Sequence, residues 1–233
     1  MTIGLVALSA LMGVIVVWLF RQTINVQPWQ AQAAIPAVSA GAPTFSAAKT
    51  ALWVFLGVAS SLFALFISAY AMRLSFQDWA PLPNPPLLMV NTAVLVGASL
   101  SMQWTVHAAR RGEAVRVRRG LAASGLLTVA FLAGQLVVWR QMHAAGYFVT
   151  ASAATAFFYL LTAVHGLHVL GGLVAWARAG LRAWRGAAPE SLRLGVELCA
   201  TYWHYLLGVW AVLYALLVSN DLGLAICSSA ASF

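Results

Sequence analysis

The chain has 233 residues, of which 62% are hydrophobic and only 8% charged, and its mean hydropathy is +0.86. A soluble domain carries about a quarter charged residues, so too little polar surface exists to cover a water-soluble globule, and lipid is the expected solvent for most of the chain. The formal charge of +8 comes from 13 Lys and Arg against 5 Asp and Glu; it sits in short loops between apolar runs, which is the pattern of cytoplasmic loops rather than of a nucleic-acid face.

Six apolar runs occur, at roughly 3–20, 51–72, 87–109, 121–139, 153–177 and 194–219. Each is long enough to cross about 30 Å of hydrocarbon at about 1.5 Å per residue. The first has no Lys or Arg ahead of it and Arg21 behind it. A signal peptide needs a positive n-region, so an uncleaved helix with its N-terminus outside is expected. Residues 21–50, rich in Ala, Gln, Pro and Ser, form a cytoplasmic linker, extended or loosely ordered. Between the second and third runs stand Pro81, Pro83, Pro85 and Pro86, which end one helix and deliver the next through a stiff turn.

Charge sets the orientation. The segment 110–120 has five arginines, Arg178, Arg182, Arg185 and Arg193 follow the fifth run, and Arg21 and Lys49 lie in the linker. These alternate loops fall on one side, while the other holds only Arg73 and Arg140. The basic side is cytoplasmic by the positive-inside rule, which places both termini outside, residues 220–233 as a short periplasmic tail.

Ionisable groups at membrane depth usually face a bundle interior. The fifth run carries His165 and His168, three apart on one face, with Gly166, Gly171 and Gly172 allowing close helix approach. In the sixth run Glu197, Thr201, His204 and Gly208 make one stripe of polar and small residues. His168 and His204 both lie about 14–15 Å from the cytoplasmic ends of their helices, and Glu197 about 5 Å. Three readings of these residues stay open at this point: neutral imidazoles hydrogen-bonded between helices, axial ligation of a b-type haem by His168 and His204, or a proton relay through Glu197 and His204. Asn91, Gln103, His107 and Gln135 are further polar groups within spans. The tryptophans include Trp53, Trp79, Trp139, Trp176, Trp184 and Trp210, and most fall near run ends, as an aromatic belt would. Cys199 and Cys227 lack the spacing of a metal site or disulfide framework, and no phosphate loop, dinucleotide fingerprint or nucleophile elbow is present.

Several of these residues form recurring strings. Phe157-Phe158 precede His165-Gly166-Leu167-His168-Val169 and Gly171-Gly172; Glu197 stands seven residues ahead of His204 in a Trp203-His204 pair, followed by Trp210. Asn91-Thr92 follow a Leu-Leu start, and Phe131-Leu132 precede Gln135. Over residues 51–219 the chain resembles the cytochrome c oxidase subunit III family. The resemblance implies an all-α polytopic membrane bundle, here a five-helix core plus one N-terminal helix, in a bacterial inner membrane. It implies an accessory subunit without haem, copper or catalytic residues of its own, with haem and copper in the partner subunits I and II. It also implies phospholipid bound in a cleft between helices and support of proton uptake; some members pass oxygen through that cleft.

Where family members carry buried acidic residues, this chain has Ala59, Val138 and Leu207. That departure weakens a proton-antenna role and leaves packing and lipid binding untouched. The expected site is thus a polar lock between the fifth and sixth runs made by His165, His168, Glu197 and His204, with Trp53, Arg193 and Trp203 as lipid contacts. The alternatives are an accessory protein of a nitric oxide reductase, and a small b-type cytochrome using His168 and His204.

Overall fold

The computed structural model describes residues 47–74, Trp79 and 86–230. They form five helices: α1 Ala47–Arg73, α2 Pro86–Arg110, α3 Ala114–Ala144, α4 Ala153–Trp184 and α5 Pro189–Ala230. All five are long and apolar enough to cross a membrane, and they match the last five expected runs. The first run, 3–20, and most of the linker lie outside the described residues.

The helices reach further into the basic segments than hydropathy alone suggests. α3 begins at Ala114 rather than near 121, and α4 continues to Trp184 rather than 177. Arginine is a good helix former, and its long side chain can carry the charge out to the interface while the backbone stays helical. α5 likewise continues to Ala230, through the stretch expected as a tail. The ends have local causes. α2 and α5 open on Pro86 and Pro189, a position where the missing N–H costs nothing. α4 opens on a capping box, the Ser152 side chain accepting from the Thr155 backbone while Thr155 reaches back to the Ser152 N–H. The tight turns at the basic end need the left-handed conformation, supplied by Gly112 (φ 72°) and Gly186 (φ 83°).

α2 and α3 are the most closely packed pair; α5 lies against α2 and α4, α3 touches α4, and α1 leans lightly on α5 and α4. Glycine sets the close approaches, as expected where lipid offers no hydrophobic drive between helices. A Cβ on Gly120 or Gly134 of α3 would run into Thr105 or Asn91 of α2, and one on Gly125 into the Trp176 ring of α4. Gly172, in the glycine pair after the two histidines, lies under Tyr202 of α5, where a Cβ would come within 2.7 Å of the ring.

Indole N–H groups tie these helices together. Trp210 of α5 donates to Thr92 Oγ1 of α2 at 2.9 Å. Trp203 of α5 donates to Thr128 Oγ1 of α3 at 3.0 Å. Trp176 of α4 donates to the Leu121 carbonyl of α3 at 3.0 Å, and Trp139 of α3 to Thr162 Oγ1 of α4 at 3.1 Å. The aromatic-belt expectation therefore fails for Trp210, which is fully buried against Phe131 and His165. Trp139 and Trp176 are half-buried ties rather than free interfacial anchors. It holds better for Trp53 and Trp184, which stay exposed.

Gly125→Val should lower the thermal midpoint of the purified protein by several degrees, about 2–4 °C for each kcal/mol of overpacking. Gly57→Ala, where an added Cβ meets nothing within 4 Å, should leave it unchanged. Equal midpoints for the two variants, measured in the same micelle, would contradict the α3–α4 packing described.

Candidate functional site

α1 rests on α5 as a ridge and divides the open side of the bundle into two grooves. The larger, about 700 Å³, lies between α1, α4 and α5. Its walls include Leu52, Phe55, Leu167, Gly171, Gly172, Leu198, Tyr202 and Trp203. Arg178 and Arg182 of α4 line the end nearest the basic loops. The smaller, about 290 Å³, lies on the other flank of α1, over α5 and against α2, and contains Lys49, Trp53, Gln103, Arg110, Glu197, Thr201 and His204.

The four residues of the expected lock divide between two helix interfaces. His165 of α4 is buried, with Nε2 3.1 Å from the Leu206 carbonyl of α5. Its ring meets Phe131 and Trp210 edge-on and tilted respectively. His168, half-buried, turns Nδ1 to the Val164 carbonyl of its own helix at 2.8 Å, and its ring faces Phe55 and Phe63 of α1. Its backbone carbonyl accepts from the Tyr202 hydroxyl of α5 at 2.9 Å. This pair thus engages α5 and α1.

Glu197 and His204 of α5 turn instead to α2. Glu197 Oε1 accepts from Arg110 Nε at 3.0 Å and from Arg193 Nε at 3.3 Å. His204 Nδ1 lies 2.5 Å from Ser99 Oγ, and Nε2 lies 3.0 Å from Gln103 Oε1. With the Gln103 carbonyl facing the ring, Nε2–H donates to it and Nδ1 accepts from the Ser99 hydroxyl. A neutral imidazole satisfies both partners. The reason for the split is angular: residues three or four apart share a face, and the stripe running from Glu197 through Thr201 to His204 points at α2, not at α4. Such hydrogen bonds between membrane helices are worth roughly 0.6–2 kcal/mol each.

The arrangement bears on the three readings of the histidines. His168 faces α1 while both ring nitrogens of His204 are committed to α2, so the two do not converge as an axial pair. No hydrogen bond among the described residues joins Glu197 to His204: the Glu197 carboxylate is held by arginines, and Thr201 donates to the Glu197 backbone carbonyl at 3.0 Å. The bland reading, imidazoles bonded across helices, fits the geometry of His165 and His204.

The weaker candidates also separate. Trp53 is 61% exposed and lines the smaller groove. Arg193 is exposed and paired with Glu197. Trp203 is 2% exposed, its ring edging the larger groove while its N–H is spent on Thr128. Sequence reasoning did not pair Ser99 and Gln103 with His204, nor Arg110 with Glu197. The available signal was that α2 carries Ser99, Gln103 and Arg110 at spacings that keep them near one face. Ala59 and Val138 are buried among apolar neighbours, which suits the absence of a carboxylate at either position.

Residues 52–219 match the family model described as "Cytochrome c oxidase subunit III". A "Probable cytochrome c oxidase subunit 3" of Nocardia farcinica is 31% identical over 178 residues, 74% of this chain and 87% of the relative. The "Cytochrome c oxidase subunit 3" of Corynebacterium diphtheriae is 29% identical over 66% of this chain and 77% of its own length. That of Synechocystis is 28% identical over 70% of this chain and 71% of its own.

A double-mutant cycle of Gln103→Leu and His204→Leu, read from unfolding free energies in bicelles, should give a coupling of about 0.6–2 kcal/mol. Simple additivity would contradict the α2–α5 seam.

Proposed function

The chain belongs to the cytochrome c oxidase subunit III family, and from that premise we propose that it is the accessory, non-redox subunit of a haem–copper terminal oxidase in a bacterial inner membrane. In this reading the five-helix core at 51–219 supports the catalytic subunits I and II, which hold the haem and copper. The run 3–20 is an added N-terminal helix joined by a cytoplasmic linker, and both termini are periplasmic. The distribution of charge supports that orientation: Lys49, Arg110, Arg116, Arg178, Arg182 and Arg193 sit at one end of the helices and Arg73 and Arg140 at the other.

The observation that carries the lipid role is the larger groove. Its walls are apolar over most of their length, and two arginines one turn apart, Arg178 and Arg182, stand at its basic end. An acyl chain would lie along Leu52, Phe55 and Leu167, with a phosphate beside the guanidinium groups. Gly171 and Gly172 keep the α4 wall low. Support of proton uptake, if it operates through this chain, would be indirect, through holding the catalytic subunit in shape. Where the family resemblance implies acidic residues, this chain has Ala59, Val138 and Leu207.

Two measurements test these roles. The double variant Arg178→Ala, Arg182→Ala should reduce the phospholipid that stays with the purified complex after detergent washing; unchanged lipid content would contradict the lipid role. His204→Leu should weaken assembly, lowering recovery of this chain with the haem-bearing subunits while the haem bands of the recovered complex stay in place. Full subunit content with a shifted haem band would overturn the structural reading of His204.

A further inference from the structure

The smaller groove has a feature that packing among the described residues does not use. His204 stands at the midpoint of Glu190–Val218, about 21 Å of helix from either end. Yet it is exposed, as is Gln103 beside it. Once Ser99 donates to Nδ1 and Nε2–H donates to the Gln103 carbonyl, the chain of hydrogen bonds ends on the Gln103 side-chain NH₂. That amide nitrogen has no acceptor among the described residues, and it opens onto the outer surface of the bundle at bilayer depth. Lipid tails there have no acceptor to offer. The surroundings are shaped for something larger than a chain of methylenes. α1 and α2 do not pack as a pair, so the described residues leave α5 uncovered between them. On that strip Gly208 is exposed, with nothing within 4 Å of where a Cβ would stand, and the same holds for Gly57 on the α1 wall. Small residues beside a polar group are the composition of membrane helix interfaces.

We propose that the groove between α1 and α2, floored by Thr201, His204 and Gly208 of α5, receives a transmembrane helix of a neighbouring oxidase subunit, and that this helix presents a hydrogen-bond acceptor to the Gln103 amide near mid-bilayer. The acceptor is a side-chain hydroxyl, carboxamide or carboxyl oxygen, or a carbonyl at a helix irregularity, because a regular helix has spent its own carbonyls. The directionality distinguishes this face from the larger groove, where the Tyr202 hydroxyl and His168 Nδ1 are spent on carbonyls of α4 and Arg178 and Arg182 stand at the basic end. The proposal rests on the reading of the chain as an accessory subunit and adds which face docks and what it recognises.

The test places a benzophenone amino acid at Gly208 in the affinity-tagged full chain, with a second version at Leu126, an exposed position on the apolar face of α3. After irradiation of membranes and purification of the complex, the Gly208 probe should give an adduct at the summed mass of this chain and another integral subunit. The Leu126 probe should give at least fivefold less of that product. Adding Gln103→Met, which keeps length and removes the donor, should cut the Gly208 adduct severalfold. A Gly208 probe that yields only lipid adducts, a dimer of this chain or products at the single-chain mass, while the tag still recovers haem-bearing subunits, would overturn the docking face and leave the accessory reading intact. Equal adduct with and without Gln103→Met would overturn the role of the amide. A tag that recovers no haem-bearing subunit would overturn the accessory reading and the proposal with it.

Discussion

In a bilayer core a polar hydrogen has no water to fall back on, and this bundle is organised by that constraint. Although the buried Gln135 Nε2 has no partner among the described residues, four indole N–H groups obey it. They are paired across helices: Trp210 to Thr92, Trp203 to Thr128, Trp176 to Leu121 and Trp139 to Thr162. The threonines complete the arrangement by donating back into their own helices, Thr128 to the Ser124 carbonyl and Thr162 to that of Phe158. Each tie fixes rotation as well as distance, because a tryptophan that reaches its threonine can do so in only one register. The glycines of α3 and α4 then allow the backbones close enough for those reaches. Packing and polar satisfaction are therefore one device here.

The histidines follow the same logic with different outcomes. His165 ends in the interior against a carbonyl of α5, and His168 spends its ring on its own helix and on the aromatic edge of α1. His204 also finds partners, but on a surface. That exposed polar strip on α5 is the one on which a neighbouring helix is proposed to dock. The two grooves flanking α1 differ accordingly. One is apolar with cations at its rim, suited to a lipid; the other is polar at its middle, suited to protein.

Much of this was legible from the sequence. The last five apolar runs each reappear as a helix, the first two within four residues of their expected ends and the others longer by up to eleven residues at an end, because the length and apolarity needed to cross a bilayer leave a strong signal. The positions of the two basic loops followed from their arginines. The partners of the polar side chains were harder to read. Helical periodicity puts Glu197 and His204 on one face of α5 but does not say which helix that face meets, and proximity in sequence suggested α4 where the structure has α2. The tryptophans were misread for a related reason: Trp139 and Trp176 stand at run ends, which suggests an interface, yet both tie α3 to α4, and only the assembled bundle distinguishes inward from outward. The extension of α3 and α4 into arginine-rich segments escaped a hydropathy criterion that counts charge against a span.

The central claim is that imidazole, amide and indole groups in this chain join protein to protein and leave electron transfer to its partners. The most direct measurement is a reduced-minus-oxidised absorption spectrum of the chain separated from its complex in mild detergent, set beside that of the intact complex. The account expects haem bands in the complex and none in the separated chain. Haem bands that travel with the separated chain, and that disappear in His168→Leu or His204→Leu, would contradict it.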